Sequence, residues 1–467
     1  MLNSPSKPAT SPAAEPAHSE VGIIIGLMAP AMLMGIYISM FSVAVPTIRA
    51  EFGIEADTAA WVDIIYSLPF MMFMPLYGRL GDALGKRRLL LIGISVFMTG
   101  TAIAAAAPSL GWLMAGRAIQ GMGTASFVPL SMAIITQLFP VAERGKIMGT
   151  WNSAMPFTGI VAPVLGGVLI QFFGWRSILA PVLVMGVFVF PFVRKKIPSL
   201  PGFAQPDYLR QFDWGGVILL GAAITSLLLY ASSRPITGVA ALRDWRLLAV
   251  TVFLFSAFIM WEQRQAKPFV PLKIYANITF TLTSLVAGIR MFSMAGIRFI
   301  VPLYLAEIHG VSAGIIGIIL TAHAVPLFSM IRVGGQLADK WGSRRLVVYS
   351  LLIQTTAMIY LAFLPETASL WWIVGGVMWQ SFGAAFSLAP LHKSSMAGIS
   401  EEQTGIAAGL YSMVRFAGVV FGVALCGVVL QQGLSQVAEP IDAYKVTFWF
   451  VAGVIMLGAL LGSRLKD

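Results

Sequence analysis

Seven ionisable side chains lie inside long apolar runs of the sequence, where a charge is costly unless it faces protein or water. They are Asp63, Arg117, Arg290, Arg298, His323, Arg332 and Arg415. Asp63 is the only carboxylate well inside such a run. A carboxylate there can take up and release a proton, and a buried arginine or histidine can hold a charged ligand. These residue types point to proton movement or to binding of a charged small molecule.

Asp63 and Arg117 together suggest proton coupling. Both lie a few residues inside the same end of their apolar runs, and the difference in depth, about 5 Å at 1.5 Å per residue, is within reach of an arginine side chain. We predict that ionised Asp63 pairs with Arg117 and that protonated Asp63 releases it, which would bias one conformation over another. Alternatively, Asp63 caps the start of its helix or faces outer water, where a first-turn carboxylate suits the helix dipole.

Arg290, Arg298 and His323 predict a positively charged ligand site. Arg290 and His323 lie about thirteen and eleven residues into consecutive apolar runs, which is near the middle of a bilayer. Arg290 and Arg298 are eight positions apart, about 80° around a helix, so they can share a broad face. A buried guanidinium needs an anionic partner, and no acidic residue lies at the depth of Arg290. His323 can equally be a structural histidine that is hydrogen-bonded to a neighbouring helix.

The composition places these residues in a membrane protein. Hydrophobic residues make up 58% of the 467 residues and charged residues 11%, whereas a soluble protein carries about 25% charged residues. Cys426 is the single cysteine and the four histidines are not at ligand spacing, so we expect no disulfide, no metal site and no cofactor. The excess of 31 Lys and Arg over 20 Asp and Glu borders the apolar runs, which fits membrane flanks better than nucleic-acid binding.

Apolar stretches of about 20 residues predict membrane spans, and these are helices because backbone groups in lipid must be hydrogen-bonded within each segment. The fourteen stretches are 22–46, 60–77, 89–107, 110–135, 146–171, 177–193, 213–233, 245–262, 277–304, 312–334, 346–364, 370–392, 404–430 and 446–463. With the amino terminus inside, twenty Lys and Arg fall on the cytoplasmic side and six on the outer side. We therefore expect an all-α polytopic fold with both termini in the cytoplasm.

A repeat divides the chain into two halves. Residues Gly78 to Arg88 read GRLGDALGKRR and recur 257 positions later as GQLADKWGSRR, from Gly335 to Arg345. Each copy follows the second helix of a six-helix set. The predicted organisation is a disordered cytoplasmic tail over 1–20, a six-helix half over 21–193, a linker with two extra helices over 194–276 and a second six-helix half over 277–463. Parallel repeats of this kind are typical of transporters that rock around a site between the halves.

Further motifs follow the loop motif in a fixed order. The fourth stretch carries RAIQGMGTA from Arg117, like R-x-x-Q-G-x-G-x-A, and the fifth carries Gly159 followed by PVLGG from Pro163 to Gly167, like a motif that ends P-x-x-G-G. With the doubled G-x-L-x-D-x-x-G-x-R-R loop, this set resembles the major facilitator superfamily. More narrowly, it resembles the fourteen-helix drug:proton antiporters of the EmrB/QacA type. The resemblance covers nearly the whole chain and implies a secondary transporter with alternating access.

The loop motif predicts a conformational latch. Gly78 and Gly85 permit tight turns and close helix contact. Asp82 can pair with Arg87 or with the arginine after it, and Asp339 occupies the position equivalent to Asp82 in the second copy. Positive-inside anchoring alone would explain the arginines but not an aspartate at the same place in both copies. We therefore expect the motif to stabilise one access state and to break as the halves rock.

The glycines of the fifth stretch predict a tightly packed helix face. Gly159, Gly166 and Gly167 place small residues where another helix can approach closely. The family resemblance implies that this face, with Pro163, belongs to the gating interface of an antiporter. Plain helix packing is the alternative.

The sequence of the first apolar run differs from that of the EmrB/QacA-type antiporters that the chain resembles. It reads IYISMFSVAVP from Ile36 to Pro46, where EmrB-like chains resemble L-D-x-T-I-V-N-V-A-L-P. Tyr37 stands at the acidic position, so the usual carboxylate for proton or cation recognition is missing. We predict that Asp63 takes over its proton-linked role. We also predict a preference for neutral, zwitterionic or anionic amphiphiles.

Taken together, the sequence predicts a proton-coupled exporter of small amphiphilic molecules or drugs in the bacterial inner membrane. Its expected partners are a small-molecule substrate, protons and the lipid bilayer, and a periplasmic adaptor is a further candidate. We expect no nucleic-acid partner. One alternative is a major facilitator of other direction or specificity, such as a carrier of an anionic metabolite or a lipid. The other is a polytopic membrane enzyme, but no His-Glu-x-x-His motif or paired intramembrane carboxylates occur. The sequence also contains no phosphate-binding loop for an ATP-driven pump.

Overall fold

The computed structural model describes residues 19–199, 212–266, 268–397, 399 and 404–465. These residues form helices joined by short loops, with no strand among them. The predicted tail over 1–20 lies outside the described residues except for Ser19 and Glu20, which begin the first helix.

Long helices account for most of the described chain, and we number them in chain order. They are α1 (Glu20–Phe52), α2 (Ala56–Leu84), α3 (Lys86–Ala105), α4 (Leu110–Leu138), α5 (Glu143–Phe173), α6 (Trp175–Lys196), α7 (Trp214–Ser232), α8 (Trp245–Arg264), α9 (Ile278–Glu307), α10 (Ala313–Trp341), α11 (Ser343–Ala362), α12 (Leu370–Ser395), α13 (Thr404–Gln436) and α14 (Pro440–Gly462). Each of the fourteen predicted stretches therefore falls on one helix.

Within the described ranges, thirteen of these helices are long and apolar enough to cross a membrane. The exception is α12, which has 26 residues but carries three tryptophans, a glutamine and several serines. It packs against α9, α10 and α11, all of which are among the thirteen. This packing gives α12 the position of a fourteenth span, although its composition is less apolar than that of the other helices.

The helices form two six-helix halves, α1 to α6 and α9 to α14. The halves meet where α2 packs against α13 and where α5 packs against α10, and α1 also contacts α9. The second and fifth helices of each half thus form the interface, as a two-fold repeat requires. The inserted helices α7 and α8 pack on each other, and α7 lies against α2 and α13 beside the interface.

The predicted glycine face of α5 is a close helix contact. A Cβ atom on Gly167 would lie 2.5 Å from the carbonyl oxygen of Ala313 on α10, and one on Gly166 would lie 3.0 Å from the Cα of Met40 on α1. A Cβ on Gly317 of α10 would in turn collide with the carbonyl of Pro163. The backbones of α5 and α10 therefore touch across the two halves. Gly159 is looser, since its nearest neighbour would be the Cβ of Ala324 at 3.4 Å.

Polar contacts between the halves gather away from the loop motifs. We call the end of the bundle with the α2–α3 and α10–α11 loops the motif end, and the end with the α1–α2 and α9–α10 loops the opposite end. At the opposite end, Arg49 forms an ion pair with Glu307, and the backbone N–H of Ala56 donates to Gln431 Oε1 at 2.9 Å. Deeper in the bundle, Thr321 Oγ1 donates to the carbonyl of Ile160 at 2.9 Å. The opposite end is therefore held shut.

The segment after α8 is fixed to the bundle by buried carboxylates. Asp213 Oδ2 accepts a hydrogen bond from the backbone N–H of Phe269 at 3.0 Å, and Glu262 Oε2 accepts one from Val270 at 3.2 Å. Arg79 of the loop motif donates to the carbonyl of Phe269 at 3.0 Å. The inserted helices are thus attached to the first half at the motif end, a role for Arg79 that the motif pattern alone does not predict.

Candidate transport pathway

Arg117 is the centre of a buried polar network in the first half. Its Nη2 atom lies 2.6 Å from Asp63 Oδ1, and its Nε donates to the carbonyl of Val62 at 3.0 Å. Its Nη1 donates to the hydroxyl of Tyr37, which in turn donates to Gln120 Oε1. The side chain of Arg117 is 2% exposed and that of Asp63 is 23% exposed. The structure therefore brings together Tyr37, Asp63 and Arg117, which the sequence suggested from separate helices.

Aromatic rings complete the surroundings of the guanidinium. The Cζ atom of Arg117 lies 3.6 Å from the ring centre of Phe41 and 4.7 Å from that of Tyr66. Electron-rich ring faces attract a cation. Arg117 can therefore stay charged on neutral partners alone when Asp63 is protonated, which a site built only from an ion pair would not permit.

The longer course of α2 explains why Asp63 and Arg117 meet. The sequence places the start of this span at residue 60, but α2 begins at Ala56, so Asp63 lies seven residues inside the helix. Arg117 also lies seven residues after the start of α4 at Leu110. Both are about 10 Å deep at 1.5 Å per residue. The reading of Asp63 as a helix-start cap is wrong, because its carboxylate contacts Arg117 on another helix.

The motif spacing in α4 positions these groups. Arg117, Gln120 and Gly121 are three and four residues apart, so they lie on one helix face. A Cβ on Gly121 would collide with the carbonyl of Tyr66 on α2. Glycine at this position therefore lets α4 approach α2 closely enough for Arg117 to reach Asp63.

A buried glutamine joins three helices in each half. In the first half, Gln120 on α4 accepts from Tyr37 on α1 and donates to Thr101 on α3 at 3.0 Å. In the second half, α12 carries Gln380, which donates to Ser293 on α9 at 3.0 Å and to Gln354 on α11 at 3.2 Å. The first, third and fourth helices of both halves are thus linked in the same way.

His323 belongs to the second of these networks. Its Nε2 atom lies 2.9 Å from Gln380 Oε1, and the residue is 5% exposed. This is the neighbouring-helix hydrogen bond that the sequence left as an alternative to ligand binding. The residue therefore has a structural partner on α12.

Arg290 is a buried cation without a contacting carboxylate. It is 3% exposed, and its Nε and Nη2 atoms donate to the carbonyl of Ala384 on α12 at 3.0 and 2.8 Å. The hydroxyl of Ser387 lies 3.0 Å from Nε. In the described part of the chain, no Asp or Glu lies within ion-pair distance of Arg290. The expected anionic partner is therefore replaced by neutral oxygen atoms.

Further positive groups lie near Arg290 in the second half. Arg415 on α13 is close enough to Arg290 for their charges to repel, and its Nη1 atom lies 3.2 Å from Nε2 of His392 on α12. The Nε atom of Arg415 is buried and has no hydrogen-bond partner within the described ranges. Arg298 likewise has a buried Nε without a partner there, but it lies where its charge is attracted by that of Asp63 in the first half. This part of the second half is therefore electropositive, and His392 is a member that the sequence did not indicate.

The loop-motif aspartates pair within their own halves. Asp82 lies 2.9 Å from the Nζ atom of Lys86, and Asp339 lies 2.8 Å from that of Lys393. The side chains of Asp82 and Asp339 are 61% and 71% exposed. The predicted pairing of Asp82 with Arg87 is wrong for this conformation, because Arg87 instead donates to the carbonyl of Ile197 after α6.

The loop glycines differ in how strictly the backbone requires them. Gly85 has φ of 92°, a region that L side chains rarely adopt, and Gly342 in the second copy has φ of 83°. A Cβ atom on Gly78 would lie 3.8 Å from the Cβ of Pro129, so this position has room for a small side chain. The turn at Gly85 therefore requires glycine, as predicted, whereas the helix at Gly78 does not.

Comparison with known families identifies the fold. The family description of the Major Facilitator Superfamily matches residues 27–297 and 283–466. The chain belongs to the Major Facilitator Superfamily. The first matched segment covers the first half, both inserted helices and part of α9, and the second begins within α9 and covers the rest of the second half.

Several known major facilitators are similar to this chain. The riboflavin transporter RibZ of Clostridioides difficile is 24% identical over 437 residues, which covers 91% of this chain and 92% of RibZ. The multidrug resistance protein 3 of Bacillus subtilis is 27% identical over 415 residues, 87% of this chain and 79% of that protein. The solved structure of the human organic anion transporter MFSD10 (TETRAN) matches the fold with a TM-score of 0.65 at 18% identity, over 96% of this chain and 100% of that one. These findings point to a transporter and not to an enzyme.

Proposed function

We propose that this major facilitator is a proton-coupled exporter of small amphiphilic molecules, of the fourteen-helix drug:proton antiporter type. The single observation that carries the proposal is the contact of Asp63 with Arg117, the one ion pair built into the interior of the first half among the described residues. A similar protein named as a multidrug resistance protein supports export of drug-like molecules.

Asp63 has the surroundings that a proton-exchanging carboxylate needs. When ionised, it neutralises Arg117 at 2.6 Å. When protonated, it no longer balances that charge, and Arg117 keeps the Val62 carbonyl, the Tyr37 hydroxyl and the ring of Phe41 as neutral partners. The Asp63 side chain is 23% exposed, so water can bring a proton to its carboxylate or take one away. We infer that this exchange drives the change of access state.

The positive groups of the second half determine which substrate charge the transporter favours. Arg290 holds a full positive charge on neutral oxygens, and Arg415 with His392 lies nearby. A cation entering this region would meet like charge, whereas an anion would gain charge-assisted hydrogen bonds. We therefore expect neutral, zwitterionic or anionic amphiphiles to be favoured, with Arg290 and Arg298 on the substrate path.

The proposed orientation places the motif end in the cytoplasm of a bacterium, with the protein in the inner membrane. The excess of Lys and Arg at that end supports it. In this orientation the closed opposite end faces outward, so the structure corresponds to a cytoplasm-facing state. Asp82 and Asp339 then form no link between the halves because the latch has been released.

Proton movement in sealed liposomes tests the proposal. In wild-type protein, addition of substrate should drive proton flux across the membrane. Asp63→Asn should abolish substrate-driven proton flux and retain substrate exchange, because the asparagine cannot bind and release a proton. Asp442→Asn, which removes a carboxylate from the exposed pair with Lys445 on α14, is the matched control and should keep proton flux. Unchanged proton flux in Asp63→Asn would overturn the proposal.

A major facilitator that carries a metabolite is the second candidate. The observation that favours it is the cluster of positive charge around Arg290, which suits a defined anionic ligand as well as a range of amphiphiles. Similarity to a riboflavin transporter fits this reading. Flux in inverted vesicles separates the two by direction: an exporter accumulates substrate inside them, and an uptake carrier with the same driving gradient does not.

A further inference from the structure

A cavity of about 520 Å³ lies between α3 and α6 at the motif end. It lies on the outside of the first half, away from Arg117 and Arg290, so it is separate from the transport pathway. Its rim carries Arg87 and Arg88 at the start of α3 and Arg194 near the end of α6. No acidic side chain lines it among the described residues.

The rim concentrates positive charge that suits an anionic group. The residues Arg88 and Arg194 are exposed, and neither forms an ion pair in the described part of the chain. Arg87 donates to the carbonyl of Ile197 at 3.1 Å, which fixes its position at the rim. Arginine presents a planar fork of donors that matches the oxygen atoms of a phosphate.

The walls below the rim are apolar. They are formed by Leu91, Ile92 and Val96 of α3 and by Phe190 of α6, and Ile92 is 43% exposed. From Arg88 to Val96 the groove follows α3 for eight residues, or about 12 Å. A phosphate ion would fill only the rim, whereas a molecule with a phosphate head and a hydrocarbon tail would fill both parts.

The equivalent place in the second half is closed. Arg345 occupies the repeat position of Arg88, but there α14 lies directly on α11. A Cβ on Gly462 would sit 3.4 Å from Val347 and 3.7 Å from Val348. Similar arginines without a groove thus occur in the same protein, which separates a binding site from ordinary positive flanks.

We propose that the groove between α3 and α6 binds an anionic phospholipid of the leaflet at the motif end. The phosphodiester contacts Arg87, Arg88 and Arg194, and one acyl chain lies along Ile92 and Phe190. Basic pockets between membrane helices recognise lipid head groups by this combination of charge and apolar surface. The bound lipid would hold α3 against α6 next to the loop motif.

Native mass spectrometry of the full chain in detergent, titrated with phosphatidylglycerol, tests the proposal. The double variant Arg88→Gln/Arg194→Gln should bind phosphatidylglycerol roughly thirtyfold more weakly than wild type, from two arginines at a membrane surface. The matched control Arg345→Gln/Arg464→Gln removes two arginines at the same end and should bind as wild type does. Equal weakening in both double variants would show general surface charge and overturn the proposal.

Two further arms distinguish a lipid from an ion. Ile92→Trp fills the groove and leaves the arginines in place, so it should weaken binding of phosphatidylglycerol. If Ile92→Trp binds as wild type does, or if inorganic phosphate displaces the lipid completely, the site holds a head group alone and the lipid proposal fails. Phosphatidylcholine carries the same phosphodiester but is net neutral, so it should bind the wild type more weakly than phosphatidylglycerol does and should lose less affinity in the Arg88→Gln/Arg194→Gln variant. A preference of the wild type for phosphatidylcholine would contradict the proposal. Unchanged unfolding temperature in phosphatidylcholine nanodiscs verifies that each variant is folded.

Discussion

Each half of this transporter buries an arginine, and the two arginines have different partners. Arg117 in the first half contacts the carboxylate of Asp63. The hydrogen-bond partners of Arg290 in the second half are neutral, and they are the carbonyl of Ala384, the hydroxyl of Ser387 and the sulfur of Met291. An ion pair can gain or lose a proton, but an arginine on neutral oxygens keeps its charge at any physiological pH. The difference suggests that the first half carries the proton and the second half attracts the substrate.

The scaffold around the two arginines is alike. Gln120 and Gln380 join the same three helices of their halves. The halves thus share a polar framework and differ in the charges attached to it. Repetition supplies the architecture, and the proposed division of roles rests on a few ionisable residues that differ between the halves.

The largest expected effect comes from breaking the ion pair. Arg117→Met removes the contacting counter-charge of Asp63, whose side chain is 23% exposed, and should lower the free energy of unfolding by about 3 kcal/mol and stop transport. Arg290→Met leaves no unpaired charge behind, and the Ala384 carbonyl still accepts a hydrogen bond from Ser387. The free energy of unfolding should therefore change by at most about 1 kcal/mol. Denaturant unfolding in detergent measures both. The double variant Arg117→Met/Asp63→Asn should recover most of the stability, and no recovery would contradict the account of Asp63.

The second effect concerns substrate binding by the second half. Arg290→Ala should weaken binding of an organic anion by about tenfold to a hundredfold, the value of a charge-assisted hydrogen bond. Isothermal titration with the anion measures it. Robust export of a permanently cationic dye that survives Arg290→Ala would count against an electropositive substrate site.

The third effect compares the two glutamines. Gln380→Leu removes the partner of His323, Ser293 and Gln354, so it should lower the free energy of unfolding by about 2–3 kcal/mol. Gln120→Leu should lower it by about 1–2 kcal/mol, because it leaves one buried donor, the Tyr37 hydroxyl, without its acceptor, whereas Thr101 keeps a bond to Phe97. Thermal unfolding in one detergent ranks the two variants. The reverse order would contradict the view that Gln380 supports more buried partners than Gln120 does.

The smallest effect concerns the loop motifs. Asp82→Asn should slow transport by about fivefold, since an exposed ion pair contributes at most about 1 kcal/mol to an equilibrium between states. Asp339→Asn should be milder, because the second copy keeps less of the motif. Initial rates at equal protein in the membrane measure both changes. Full flux in Asp82→Asn would remove the latch from the mechanism.

Much of the fold follows from the sequence because its causes are local. Apolar length predicts each helix, and the repeat of Gly78 to Arg88 predicts the two halves. Even the contact between Asp63 and Arg117 follows from their depths along two helices. The stretch 370–392 predicts α12 as a helix. Its tryptophans and polar residues lower its hydropathy, so composition alone identifies it as a membrane span less clearly than the other helices.

Contacts set by the tertiary arrangement were not predictable. The carbonyl of Ala384 as a partner of Arg290 depends on how α9 meets α12, and every residue has a carbonyl, so no residue type signals it. Lys86 lies four residues after Asp82, a local spacing that permits their pairing. The contact of Arg87 with the carbonyl of Ile197, far along the chain, required the structure. Tyr37 could be recognised as a missing carboxylate, but its bridging position between Arg117 and Gln120 required the structure.

The backbone contact between α5 and α10 has a consequence for the thermodynamics of rocking. Gly167 meets the Ala313 backbone and Gly317 meets the Pro163 backbone, so the touching surfaces carry few rotatable side chains. Forming an ordinary helix contact freezes side-chain rotamers and costs conformational entropy. Here there are few rotamers to freeze, and the two helices can slide over one another with little entropic penalty. The temperature dependence of turnover should therefore arise at the ends of the bundle, where side chains such as Arg49 and Glu307 must separate and become solvated.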